Sequence, residues 1–187
     1  MVLKNKNILV TGSTGLIGSW LIEKLINHSN VVGIALDTNL DFLIKSKNLL
    51  NNFENLYFDI SDYKKLKQVF IKNDFDIVIH LAAQTQVLDS YKNPIRTFKS
   101  NIEGTWNVLD LCKNFETPLV TASSDKAYGF AERLPYIESD ELNAIYPYEI
   151  SKAMGDKLSQ SYIETFNTRV TTLRCGNVYG GGDLNWD

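Results

Sequence analysis

Asn7-Ile8-Leu9-Val10-Thr11, followed at once by Gly12-Ser13-Thr14-Gly15-Leu16-Ile17-Gly18, decides the fold of this 187-residue chain. The first five residues form a short apolar run, the pattern of a strand buried on both faces. From Gly15 to His28, Leu16, Ile17, Trp20, Leu21, Ile22, Leu25 and Ile26 recur at helical spacing. Between strand and helix the glycines stand as G-x-x-G-x-x-G. Gly12 suits a tight turn out of the strand, Gly15 a close approach by a pyrophosphate, and Gly18 tight packing of helix on sheet. The helix start then offers free N–H groups and a positive dipole end to an anion. Glycine spacing alone would also suit a plain turn. A buried strand before it and an amphipathic helix after it are the context for a dinucleotide site, formed by Gly12, Thr14, Gly15, Leu16, Ile17 and Gly18.

Working outward, apolar runs keep alternating with amphipathic segments. Val31–Leu36, Asn55–Asp59, Asp76–Leu81, Pro118–Ser123 and Arg169–Arg174 have the character of strands. Helical spacing marks Tyr63–Asn73, Pro94–Phe115 and Pro147–Phe166, the last with proline tolerated in its first turn. Thr38–Asn52 fits loop, helix or both. Strands alternating with helices imply right-handed crossovers and a parallel sheet covered on both faces. The expected architecture is therefore α/β, a Rossmann-type doubly wound parallel sheet. One dinucleotide-binding domain is expected over residues 1–187. Residues 179–187 would begin a connection to a substrate domain that this sequence does not contain.

Composition removes several function classes. Hydrophobic residues make up 44% and charged residues 22%, as in ordinary globular chains. A net charge of −3 gives no basic footprint for nucleic acid. No apolar run reaches the roughly 18 residues of a membrane span, and no apolar leader core follows the N-terminal lysines. The two cysteines, Cys112 and Cys175, are too few for a disulfide framework and lack metal-ligand spacing. No metal site is expected, and the expected setting is the reducing cytoplasm.

Two carboxylates refine the cofactor. Asp37, after the second strand, can accept both ribose hydroxyls of NAD and would repel the 2′-phosphate of NADP. Asp59-Ile60, after the third strand, can approach the adenine, although Asp59 could equally cap the helix that follows. Later in the chain Tyr148 and Lys152 stand four apart and share a helix face. An ammonium near a phenol favours the phenolate, so Tyr148 is expected to have a pKa below about 10 and to act as a base.

The chain resembles the extended short-chain dehydrogenase/reductase family, in its epimerase/dehydratase group. Leu81-Ala82-Ala83-Gln84 matches the family's cofactor-side segment, Asn101-Ile102-Glu103-Gly104-Thr105 its N-x-x-G-T motif, and Tyr148-Glu149-Ile150-Ser151-Lys152 its Y-x-x-x-K motif. Ala35-Leu36-Asp37, His80 through Tyr91 and Arg174 through Asn185 look most like the CDP-glucose 4,6-dehydratase branch. The resemblance implies NAD as cofactor, with Leu81, Ala82, Ala83, Gln84 and Asn101 on its side of the site and Lys152 on the nicotinamide ribose. It implies Ser124 as the hydroxyl that bonds the reacting oxygen, and Gln84, Ser124 and Asn177 as contacts to a nucleotide sugar. It places an acid at Asp125 and a base at Lys126 for eliminating water.

A lysine removes a proton only when neutral, which requires burial or a nearby cation. The branch usually has arginine where this chain has Leu88, which leaves the exact sugar open. His80, within a strand, is expected to be a satisfied core or near-cofactor histidine. His28 is expected at an exposed helix end. The expected activity is 4,6-dehydration of a nucleotide hexose. The alternatives are 4-epimerisation or reduction on the same fold, or NAD binding without turnover. The resemblance also implies a homodimer through helices 94–115 and 147–166.

Overall fold

A computed structural model of the chain describes residues 3–38, 42–46, 48–49, 51–130 and 133–183. Six strands form one wholly parallel sheet: β1 (Asn7–Thr11), β2 (Asn30–Ala35), β3 (Glu54–Tyr57), β4 (Ile77–His80), β5 (Leu119–Ser124) and β6 (Val170–Cys175). Their order across the sheet is β3-β2-β1-β4-β5-β6. This is the doubly wound order, in which the winding reverses between β1 and β4. Ligands of such sheets sit outside the carboxyl ends of the strands at that reversal.

β1 is central because it is apolar on both sides. Successive side chains of a strand point to opposite faces. Leu9 enters one core with Ile34, Leu66, Phe70, Val78, Val108 and Leu119. Its neighbours Ile8 and Val10 enter the other, with Ile22, Leu25, Ile44 and Ile79. A continuous apolar run serves both cores where an alternating one would serve one.

The helices are α1 (Leu16–Leu25), α2 (Phe42–Ser46), α3 (Tyr63–Lys72), α4 (Val87–Lys92), α5 (Pro94–Phe98), α6 (Gly104–Asn114) and α7 (Pro147–Phe166). α7 has the bounds expected from sequence. The helix expected over Pro94–Phe115 is divided: a π turn, Lys99–Glu103, separates α5 from α6. α4 was not foreseen, and α2 falls within the ambiguous stretch Thr38–Asn52, of which Asn39, Leu40, Asp41, Lys47 and Leu50 lie outside the described residues. Asn93 caps α5 by accepting from the Arg96 N–H at 3.1 Å, with Pro94 in the first turn, where its missing N–H costs nothing.

Candidate functional site

The turn after β1 is built as its sequence requires. Gly12 has φ +72°, and its N–H donates to the Ile34 carbonyl at 2.7 Å, tying the turn to β2. A Cβ on Gly18 would lie 2.1 Å from the Gly12 carbonyl oxygen, so α1 can lie against this turn only with glycine there. A Cβ on Gly15 would meet nothing closer than 3.4 Å. The chain's own packing therefore does not demand Gly15, whereas an approaching ligand would. Gly15 is also the N-cap of α1 and offers no side chain to its first N–H groups. Those donors, at Leu16 and Ile17, have no intrahelical partner by the geometry of a helix start. A turn with uncapped donors and a bare glycine fits a pyrophosphate. Thr14 is buried, and Ile17 is 40% exposed.

Asp37 lies two residues past β2, partly buried. Asp59 is exposed, and its carboxylate accepts from the Ser61 N–H at 2.9 Å. The cap of α3 is Asp62, which accepts from Lys65 N at 3.1 Å, so Asp59 is not the helix cap. The Ile60 side chain is 4% exposed in the core, where its Cδ1 fills the space a Cβ on Gly104 would need, so what this residue can offer the expected adenine is its backbone.

A chain of buried hydrogen bonds runs from this turn to the late helix. Thr11 Oγ1 lies 2.7 Å from His80 Nδ1 and accepts from the Ala82 N–H at 3.2 Å. His80 Nε2 lies 3.1 Å from Thr105 Oγ1, which itself donates to the Asn101 carbonyl at 2.6 Å. The Thr105 proton is thus engaged, so Nε2 carries the imidazole proton and Nδ1 accepts from Thr11. Burial pushes His80 down to about 3, with the Lys152 charge acting in the same direction, so the ring is neutral. This is the satisfied histidine expected from sequence. Asn101, 3% exposed, continues the chain: its Oδ1 accepts from Gln84 N at 2.7 Å, and its Nδ2 donates to the Gln84 carbonyl and Ser151 Oγ, each at 2.9 Å. Ser151 donates to the Tyr148 carbonyl at 2.6 Å.

At the carboxyl end of β5 the remaining candidates converge. Ser124 ends the strand, accepts from Lys126 N at 3.2 Å and has its hydroxyl 3.1 Å from Asp125 Oδ1. The same hydroxyl acts on the Tyr148 phenol. Tyr148 is 8% exposed. Burial pushes its phenol above the usual value, Ser124 pulls it down, and Asp125 and Cys175 push it further up. The direction is opposite to that expected from a neighbouring Lys152. Burial prevails, and the Lys152 ammonium turns instead to β5, donating to the Ala122 carbonyl at 3.2 Å. Burial pulls Lys152 down to about 8, while the Asp156 carboxylate and Cys175 act upward.

Lys126 is exposed, its Nζ 3.8 Å from Asp125 Oδ2. Leu81, Ala82, Ala83 and Gln84 follow β4, partly buried, and the Gln84 amide donates to the Gln86 carbonyl at 2.9 Å. Asn177 is exposed, two residues past β6. Sequence reasoning missed Ser151 and the pairing of buried Asp156 with partly exposed Arg174. A polar residue inside a helical pattern gives no sign of which way it faces. Among the described residues no group of three or more His, Cys, Asp or Glu is placed to hold a metal ion. No described helix is long and apolar enough to cross a membrane.

This geometry has relatives. The NAD dependent epimerase/dehydratase family model matches residues 8–185. A putative UDP-glucose 4-epimerase of Methanocaldococcus jannaschii is 36% identical over 92% of this chain and 56% of its own. CDP-glucose 4,6-dehydratase of Salmonella typhimurium is 32% identical over 96% of this chain and 54% of its own. Among solved structures, dTDP-glucose 4,6-dehydratase of Bacillus anthracis in complex with NAD superposes with a TM-score of 0.80 at 26% identity, covering 94% of this chain and 56% of that one. The chain thus spans about half the length of these relatives. With the match running from β1 past β6, the chain belongs to the NAD-dependent epimerase/dehydratase family.

Proposed function

We propose that this chain is the NAD-binding part of an enzyme that oxidises C4 of a nucleotide-linked hexose and then completes a 4,6-dehydration. The observation that supports the reading is that Tyr148 and Ser124 interact at the carboxyl end of β5, with Lys152 one turn further along a helix that buried hydrogen bonds tie to the end of β1. Leu16 and Ile17 N–H groups hold the pyrophosphate, and Asp37 takes the adenosine ribose hydroxyls. When bound, NAD would supply the hydride acceptor and donor that the reaction needs. Tyr148 removes the hydroxyl proton, with Ser124 bonding the same oxygen. Lys152, a cation held on the Ala122 carbonyl, would bond the nicotinamide ribose and favour the phenolate of Tyr148.

Dehydration follows from Asp125. Ser124 holds its carboxyl at the site, where it can protonate a departing hydroxyl. Lys126 is the base at C5 in this reading; exposed beside the Asp125 carboxylate, it meets neither condition for neutrality until a bound sugar covers it. A second reading, 4-epimerisation, rests on Lys126 itself, which is exposed and faces a carboxylate. The sugar-binding part follows residue 179, and a second copy of the chain docks on α6 and α7. Incubating the full reading frame with NAD and a panel of nucleotide hexoses tests both readings by mass spectrometry. Dehydration gives a product lighter by one water, and this product is lost in Lys126→Ala. Epimerisation gives an isomer of unchanged mass, insensitive to that substitution.

A further inference from the structure

Asp156 lies on α7 one turn beyond Lys152 and is 5% exposed. Its Oδ2 accepts from Arg174 Nε at 2.5 Å. Arg174 is held in turn: Nη1 donates to the Tyr128 hydroxyl at 2.8 Å and the Glu138 carbonyl at 2.9 Å, and the guanidinium stands 5.0 Å over the Tyr128 ring. The carboxylate is therefore fixed in place by β6 and the turn after β5. Its other oxygen, Oδ1, is buried with no hydrogen-bond partner among the described residues, and so is Ser123 Oγ. Both residues line one narrow cavity with Lys152, Thr121, Thr105 and His80. Its free space, about 10 Å³, is that of a single water. A buried carboxylate oxygen without a partner costs on the order of 1–3 kcal/mol or more, so an ordered water is the economical occupant.

We propose that Asp156 is a positioning residue for Lys152: its Oδ1 and Ser123 Oγ hold one water beneath the ammonium, and its carboxylate, clamped by Arg174, keeps that ammonium charged and on the Ala122 carbonyl. The inference deepens the proposed function and rests on it for its purpose, because Lys152 serves that chemistry only as a cation. The groups facing Lys152 from neighbouring elements are Cys175 on β6 and His80 on β4, with Tyr148 and Asp156 on its own helix and Arg174 behind Asp156. His80 is neutral, so Asp156 is the anion that offsets burial of the ammonium.

The test uses the 187-residue chain without ligand. Carbon-13 NMR of the lysine ε-methylene groups, assigned with Lys152→Met, follows Lys152 through its titration. The midpoint is expected near pH 8 in the unmodified chain. In Asp156→Asn it is expected to fall by about 1–3 pH units, the effect of losing a close opposite charge, and in Asp156→Glu to return toward the original. An unmoved midpoint in Asp156→Asn overturns the proposal, since a purely structural role would leave Lys152 titrating as before. Should Asp156→Asn not fold, a high-resolution crystal structure decides. A water between Asp156 Oδ1 and Ser123 Oγ, lost in Ser123→Ala, supports the proposal, and its absence from the unmodified chain overturns it. NAD titration of the unmodified chain separates the two claims. Failure to bind sinks the functional reading, while the Lys152 titration, measured without NAD, still judges Asp156.

Discussion

Asn101 Nδ2 donates to Ser151 Oγ at 2.9 Å, and this bond joins the π turn between α5 and α6 to the start of α7. The same amide closes both polar groups of the Gln84 backbone. One side chain thus fixes the segment after β4 against the helix carrying Tyr148 and Lys152. In Asn101→Ala the partly buried Gln84 N–H and C=O lose their partners. Stability is expected to fall by about 1–3 kcal/mol in urea unfolding. Asn101→Asp keeps the acceptor for the Gln84 N–H but buries a charge and sets an oxygen against the Gln84 carbonyl, so it is expected to cost at least as much. An unchanged midpoint for Asn101→Ala would show that water replaces the amide.

The glycine turn gives a sharper pair. Gly18→Ala places a methyl 2.1 Å from the Gly12 carbonyl oxygen and must displace α1, so both stability and NAD affinity should fall. Gly15→Ala meets only ordinary packing at 3.4 Å. It should fold with unchanged or slightly raised stability, as loss of glycine freedom in the unfolded chain stabilises by about 0.4–1 kcal/mol. NAD affinity should nonetheless fall tenfold or more, or about 1.4 kcal/mol. Isothermal titration checks this, and a Gly15→Ala protein binding NAD like the original would remove the pyrophosphate from this turn.

The sequence carried the parallel sheet because β1, β2 and β4 are apolar runs that fill two cores, a pattern solvent-facing strands do not have. It carried α7 because proline opens it and helical spacing holds to Phe166. It hid α4, whose Val87 and Leu88 are 37% and 70% exposed and so give no buried stripe. The π turn escaped because one extra residue per turn barely disturbs helical spacing. Tyr148, Lys152 and Ser124 were legible as a set through motif order. Where the Lys152 ammonium points was not, because a carbonyl on β5 decides it. Asp156 and Arg174 were invisible for the same reason: their partners are distant in sequence.

α7 turns Tyr148, Ser151, Asp156 and Ser159 inward, a buried face of polar and small groups. Its apolar residues are left partly outside, with Met154 44%, Ile163 37% and Phe166 50% exposed, beside Trp106 of α6 at 45%. A second copy docking on this face would cover them. Sedimentation equilibrium is expected to give a dimer mass for the unmodified chain and a monomer mass for Trp106→Glu with Met154→Glu. A monomer in the unmodified chain at high concentration removes the dimer from the proposal.

His80 makes stability depend on pH in a direction that follows from its burial. Its proton affinity is depressed in the folded chain, to about 3 against an ordinary 6.5. Between these values the unfolded chain binds a proton that the folded chain refuses, so stability falls as pH drops through this window and is unaffected by His80 above it. The slope from this group approaches about 1.4 kcal/mol per pH unit. His80→Gln keeps one donor and one acceptor between Thr11 and Thr105 but cannot be protonated. It should cost stability at pH 7.5 through imperfect geometry, yet lose less on acidification, so its curve of unfolding free energy between pH 6 and 4.5 should be flatter than the original's. Parallel curves would mean that the imidazole gains its proton in place and that the chain from Thr11 to Asn101 tolerates a charge.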